Sequence, residues 1–189
     1  DAVHVDVMDN HFVPAIIFGA QMVGRIAQVS PIPLDVHLMI ENPDLHAVTY
    51  ADMGAQSVTF HVEAAKDSHA IISALHEAGS LAGVALKPGT ALEPYYELFH
   101  EVDTVLLMTV EPGAGGQSFM LEMMPKLEAL AGYLKDHGLT PLVEVDGGIT
   151  TTTLPIALRS GANTFVAGSS VYGSGEPNFN IEALRACAH

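Results

Sequence analysis

This 189-residue sequence is short of three things: cysteine, basic residues and long apolar runs. Its one thiol, Cys187, excludes an intrachain disulfide framework and fits a reducing compartment. Seven Lys and Arg stand against 22 Asp and Glu, a formal net charge of −15. The counterion release that drives nucleic-acid binding therefore has almost nothing to act through, and nucleic acid is excluded as an expected partner. Apolar runs such as Val105 to Met108 fall far short of a membrane span, and no charged-then-apolar leader precedes the first strand. The expectation is a soluble cytoplasmic protein without a membrane partner. The scarcity of cations also limits how an anion could be held: a phosphate would rest largely on backbone N–H groups at glycine loops and helix N-termini.

What is present is enough apolar material for one core. At 49% hydrophobic residues and a mean hydropathy of +0.30, residues 1–189 read as one domain. The stretch that organises it comes first. Val3, Val5 and Val7 alternate with His4, Asp6 and Met8, so a strand here has one aliphatic face and one face of imidazole, carboxylate and thioether. An edge strand wetting its polar face would satisfy that pattern. So would a strand whose polar face is paired or bound to a cation, because burying those groups otherwise is costly.

Further strands begin near Leu34, Ser57, Ala82, Thr104, Leu142 and Thr164. Helical spacing or capping signals follow each: 19–29, then Asn42-Pro43 toward Gly54, Asp67-Ser68 toward Gly79, Pro94 to His100, Leu121 to His137, Thr152 to Arg159 and Phe179 to Cys187. Unbroken alternation with near-continuous apolar strands predicts a parallel sheet, either a closed (β/α)8 barrel or an open doubly wound sheet. Residues with chemistry sit at the C-terminal ends of nearly every strand, among them His4, Asp6, His37, His61, Glu63, Lys87, Met108 and Asp146. A closed barrel turns all those ends toward one mouth, whereas an open sheet uses one switch point, so the barrel is preferred. Seven strands, the first starting at once and without a methionine, predict a (β/α)8 TIM barrel seen from its second to its eighth βα unit, the first being missing.

Three strands repeat one logic. His4 and Asp6, then Asp35, His37 and Met39, then Glu144 and Asp146 each share a face. His4, Asp6, His37 and Asp146 would meet at the mouth, and two nitrogens with two oxygens suit one divalent ion, Zn²⁺, Fe²⁺, Mn²⁺ or Co²⁺. Asp35 lies deeper and reads as a structural polar residue. Two glycine groups complete the picture. Gly113, Ala114, Gly115 and Gly116 suit a flap over a substrate, and Gly147-Gly148 with Gly168-Ser169 follow the last two strands, where barrels commonly bind phosphate.

The segments 4–14 (HVDVMDNHFVP), 35–39 (DVHLM), 59–64 (TFHVEA), 107–113 (LMTVEPG), 144–149 (EVDGGI) and 167–170 (AGSS) together resemble the ribulose-phosphate 3-epimerase family over essentially the whole chain. The resemblance implies a metal-dependent isomerase, with zinc the first choice of metal. It would interconvert D-ribulose 5-phosphate and D-xylulose 5-phosphate in the cytosolic pentose phosphate pathway, by two-base proton transfer at C3 through a 2,3-enediolate. By matching positions, His4, Asp6, His37 and Asp146 would be the ligands and Asp6 and Asp146 the acid and base. Gly113 to Gly116 would contact the sugar, and Gly147, Gly148, Gly168 and Ser169 its phosphate, with Met8, Met39 and Met108 as walls. Barrels of this kind often form homo-oligomers. The family's first strand, with a substrate-contacting serine, has no counterpart here; Ala114 replaces a usual aromatic and Ala15 a frequent asparagine. Alternatives are an epimerase of a hexulose 6-phosphate such as allulose 6-phosphate, or a non-catalytic truncated barrel. Barrel decarboxylases and aldolases carry an Asp-x-Lys-x-x-Asp motif that is absent here.

Overall fold

The computed structural model describes residues 1–188. Seven parallel strands form one sheet in chain order: β1 (Val3–Asp9), β3 (Leu34–Met39), β4 (Ser57–His61), β5 (Leu81–Leu86), β6 (Thr104–Met108), β7 (Leu142–Asp146) and β8 (Thr164–Val166). A two-residue antiparallel strand, β2 (Ile16–Ile17), pairs with the end of β1 through Met8 and Asp9. It has no counterpart among the expected strands, being too short to carry a period.

Helices α1 (Ala20–Val29), α2 (Pro43–Asp52), α3 (Ser68–Glu77), α4 (Met124–Asp136), α5 (Leu154–Arg159), α6 (Ser169–Tyr172) and α7 (Pro177–Ala186) connect or follow the strands. Asp67 caps α3 by accepting from the Ala70 N–H, which satisfies one of the orphan donors at a helix start. Two predicted α-helices differ in detail. Glu93–His100 is a 3₁₀ helix, and the segment from Leu121 begins with a 3₁₀ turn before α4, whose first turn holds Pro125. Proline fits there because that N–H has no intrahelical partner to lose.

The sheet is curled. In strand order β7 lies five steps from β1, about 24 Å across a flat sheet at the usual strand spacing. Yet His4 Nδ1 of β1 lies 3.7 Å from Glu144 Oε1 of β7, so the inner faces have closed on each other. Among the described residues β8 and β1 share no ladder, which makes the sheet the partial barrel expected from the seven-strand count. An Asp1–Arg185 ion pair of 2.9 Å joins the start of the first strand to α7 near this opening.

The period of two then sorts the core. Val5, Val36, Leu38, Val58, Phe60, Val84, Val105, Leu107, Val143 and Val145 face outward and are buried against the helices. The inner face is largely polar, with His37, Thr59, His61, Thr104 and Glu144 all buried. Two small apolar clusters cap it, Met8, Val13 and Met39 on one side and Ala85, Leu106, Met108 and Val110 on the other. Among the described residues no helix is long and apolar enough to cross a membrane.

The outer layer therefore carries the stability. Phe60, fully buried between sheet and helices, is expected to cost about 3–5 kcal/mol on truncation to alanine. Chemical denaturation measures this directly, and a loss below about 1 kcal/mol would mean that the helices do not pack on β4 as described.

Candidate functional site

The site forms where the polar faces of β1, β3 and β7 end. The parallel register sets Asp6 beside His37, and the curl brings in Asp146. The His37 Nδ1 atom lies 3.2 Å from Asp6 Oδ1 and 3.7 Å from Asp146 Oδ2. One donor atom from each of His4, Asp6, His37 and Asp146 lies within 4.8 Å of the other three. All four residues singled out as ligands are thus brought together.

His4 gives the clearest sign of what the cluster suits. Its Nδ1 is 2.7 Å from Asp35 Oδ2, and Asp35 also accepts from Ser57 Oγ at 2.6 Å. That leaves Nε2, buried, 3.4 Å from Asp6 Oδ1 and without a hydrogen bond. A buried polar atom without a partner is costly, but an imidazole nitrogen backed by a carboxylate on its other side is the usual form of a metal ligand. The donor set therefore fits a divalent cation. Asp35 is a structural polar residue, as expected, with the specific task of orienting His4.

The electrostatics agree. Burial opposes charge on His37, but the Asp146 and Asp6 carboxylates outweigh it and raise its pKa to about 9. His4 is likewise driven down by burial and then held well above the ordinary value by Asp35 and Asp6. Burial acts against the Asp6 carboxylate too, and the His37 and His4 rings overcome it to keep it ionised far below the usual range. Two imidazoles facing two carboxylates take up protons where a cation would otherwise sit, and metal binding releases such protons.

Sequence reasoning gives Glu144 no role, yet it belongs to the site. It is buried beside His4 and Asp35, with its pKa pushed up by burial and by the Asp35 charge. The signal is its place two residues before Asp146 on the same strand face. His61 and Glu63, which the sequence marks only as strand-end residues, form a chain: His37 Nε2 lies 2.9 Å from His61 Nε2, and His61 Nδ1 lies 3.0 Å from Glu63 Oε2. Burial pushes His61 down to about 4, so that ring is neutral.

Above the cluster a cavity opens, lined by Asp6, Asp146, the three methionines Met8, Met39 and Met108, the loop Gly113 to Gly116, Gly147-Gly148 and Gly168-Ser169. Each sequence-derived contact residue thus borders one space. The glycine loop is tied rather than free, because Gln117 Nε2 donates to Glu111 O at 2.6 Å and to Ala114 O at 2.8 Å. After β7 the chain turns through two left-handed residues, Gly147 (φ 123°) and Gly148 (φ 65°). A Cβ on Gly148 would meet the Phe119 backbone nitrogen at 2.6 Å, so glycine is required there by conformation and by space. Thr109 Oγ1 and Thr153 Oγ1 each donate, at 2.7 Å, to the Gly147 and Gly148 carbonyls respectively.

A parallel (β/α) barrel with an imidazole and carboxylate cluster under a glycine-ringed mouth defines the class: a barrel protein with a metal-type site at the strand C-termini. Comparison with known proteins narrows it. Residues 1–172 match the model of the ribulose-phosphate 3 epimerase family. The ribulose-phosphate 3-epimerase of Mycobacterium tuberculosis is 46% identical over 185 residues, 98% of this chain and 81% of its own length. The cytoplasmic isoform from Oryza sativa subsp. japonica is 43% identical over 189 residues, with 98% of this chain and 81% of its own length covered. Among solved structures, KGPDC from Streptococcus mutans superposes with a TM-score of 0.74 at 15% identity, covering 98% of this chain and 84% of that one; at that identity the likeness is one of fold. The chain belongs to the ribulose-phosphate 3-epimerase family.

The Gly148 geometry is open to test by comparison with Gly79, which has φ 80° but open space at its Cβ position. Alanine at 148 is expected to lower unfolding stability by more than alanine at 79, which carries only the cost of about 1–3 kcal/mol for a strained backbone. Equal losses by denaturant titration would show that the Phe119 contact does not constrain the turn.

Proposed function

We propose that this chain is a ribulose-phosphate 3-epimerase, inverting C3 of D-ribulose 5-phosphate by proton transfer between Asp6 and Asp146. The observation that carries the reading is the convergence of these two carboxylates on His37 Nδ1 at the floor of a cavity with bare glycine backbone on its rim. Inverting a carbon beside a carbonyl means removing its proton from one face and returning one to the other. That requires two groups able to alternate as acid and base, and two carboxylates meet the requirement.

The chain's own residues divide the work. Asp6 and Asp146 exchange the proton. His4 and His37 stand against them, with His4 Nε2 3.4 Å from Asp6 and His37 Nδ1 3.2 Å from Asp6 and 3.7 Å from Asp146, and fix where the carboxylates point. Met8, Met39 and Met108 border the reacting carbon with polarizable, dry surface, which strengthens every electrostatic contact inside. Gly147, Gly148, Gly168 and Ser169 offer backbone N–H groups for the phosphate, an assignment that suits a protein so poor in cations. The loop Gly113, Ala114, Gly115 and Gly116 covers the sugar. A divalent cation, with zinc preferred, held by His4, Asp6, His37 and Asp146 would supply Lewis-acid stabilisation of negative charge on the substrate oxygens. The name of the rice relative supports a cytoplasmic location.

Conversion of D-ribulose 5-phosphate in D₂O is expected to place deuterium at C3 of the product. Asp146→Asn is expected to lower the rate by about 10²–10⁴-fold with an unchanged circular dichroism spectrum. Chelation should remove activity and a single added divalent metal restore it. A variant with near-normal turnover, or product free of solvent deuterium, would contradict the two-carboxylate assignment.

A further inference from the structure

We propose that His61 and Glu63 are positioning residues that fix the direction of a hydrogen-bond chain, and thereby keep the Nδ1 lone pair of His37 turned toward the cation site. The proposal rests on reading His37 as a ligand. It concerns which nitrogen of that ligand is bare, and why.

The direction is set at the far end of the chain, by the main chain. The Lys87 backbone N–H can only donate, and it donates to Glu63 Oε1 at 2.7 Å. Thr90 Oγ1 donates to the same oxygen. The other oxygen, Oε2, lies 3.0 Å from His61 Nδ1, and an ionised carboxylate only accepts. The proton of that bond therefore belongs to His61 Nδ1. With Nδ1 protonated, the neutral ring presents a lone pair at Nε2. The contact of His61 Nε2 with His37 Nε2, 2.9 Å long and fully buried, needs one proton, which must come from His37. His37 is thus held as an Nε2–H donor, and its Nδ1, which gives up its proton when a cation binds, is the nitrogen that faces the site between Asp6 and Asp146.

Sequence alone could not supply this, because the controlling donor is a peptide group in the turn after β5. The turn is itself held. Lys126 Nζ donates to the Lys87 carbonyl at 2.9 Å, and Lys87 Nζ sits 3.8 Å above the Phe12 ring, which packs 4.8 Å from His61. A ligand imidazole oriented by a partner on its other nitrogen is the general rule at metal sites. Here that partner is a second imidazole, polarised by a carboxylate whose own orientation two donors dictate.

The chain makes a sharp prediction for Glu63→Gln, which keeps size and shape. The Lys87 N–H and Thr90 hydroxyl hold the new amide's oxygen where Oε1 was, so its NH₂ faces His61 Nδ1 and donates to it. Every bond beyond then reverses: His61 carries its proton on Nε2, His37 must accept there, and a proton stands on His37 Nδ1 where the cation would bind. In a His61→Gln background the reversal has no relay to act through, since an amide oxygen at position 61 can accept from His37 whichever group occupies position 63.

Two measurements test it without use of epimerase activity. In the metal-free protein, ¹⁵N NMR of labelled histidine is expected to find His61 protonated on Nδ1, and on Nε2 in Glu63→Gln. In cobalt titration, Glu63→Gln is expected to lose at least about tenfold in affinity, while the same change in the His61→Gln background alters affinity by less than twofold. A merely structural role would lower the melting temperature in both backgrounds and leave affinity insensitive to the direction of the chain. His61 protonated on Nε2 in the parent, unchanged affinity in Glu63→Gln, or equal losses in both backgrounds would each overturn the proposal. Failure of the parent to turn over ribulose 5-phosphate would sink the functional reading alone, and failure to bind cobalt the ligand reading, with the NMR assignment still deciding the direction of the chain.

Discussion

The constraint on which this molecule depends is that the inner face of its sheet is charged. Burying imidazoles and carboxylates is costly unless each finds a partner, and the curl of the sheet supplies the partners. His4 meets Asp35 of the adjacent strand, and Asp6 and Asp146 reach His37 from opposite ends of the strand order. One nitrogen, His4 Nε2, is left over. The valines and leucines of the same strands do the opposite work on the other face, binding the sheet to its helices. Stability and chemistry are thus written on alternate residues of one strand, which lets the polar face be given over to function.

The loops complete what the strands begin. Asp9 accepts from the Glu41, His11 and Phe12 backbone N–H groups, tying the segment after β1 to the end of β3 and setting Phe12 over His61. Gly113 passes so close to Val13 that a Cβ there would approach its side chain to 2.8 Å. The loop after β1 therefore backs the loop after β6, which lines the cavity. Thr109, just after β6, donates its backbone N–H to the Asp146 carbonyl and its hydroxyl to the Gly147 carbonyl and so holds a proposed catalytic carboxylate and the glycine turn in one register.

Much of this could be read from the chain. Strand starts near Leu34, Ser57, Thr104, Leu142 and Thr164 follow from apolar runs between capping and glycine signals, and the structure begins its strands there. The choice of a barrel follows from residues with chemistry placed at strand ends; His61 and Asp146 do close β4 and β7, whereas His4 stands second in β1 and reaches the site through its ring. What could not be read has physical causes. Ile16–Ile17 is too short to show a period, and the segment from Glu93 has helical spacing but takes the tighter 3₁₀ winding around Pro94. The pairing of His4 with Asp35, and the donation from Lys87 N–H to Glu63, depend on register between strands and on main-chain groups that carry no sequence signal.

The central claim is that His4, Asp6, His37 and Asp146 close on a single cation. X-ray absorption spectroscopy of the protein loaded with one equivalent of zinc tests this most directly. The account predicts a shell of nitrogen and oxygen only, with the outer scattering of two imidazoles. A shell containing sulfur, from Cys187 or from Met8, Met39 or Met108, or one with fewer than two imidazoles, would contradict it.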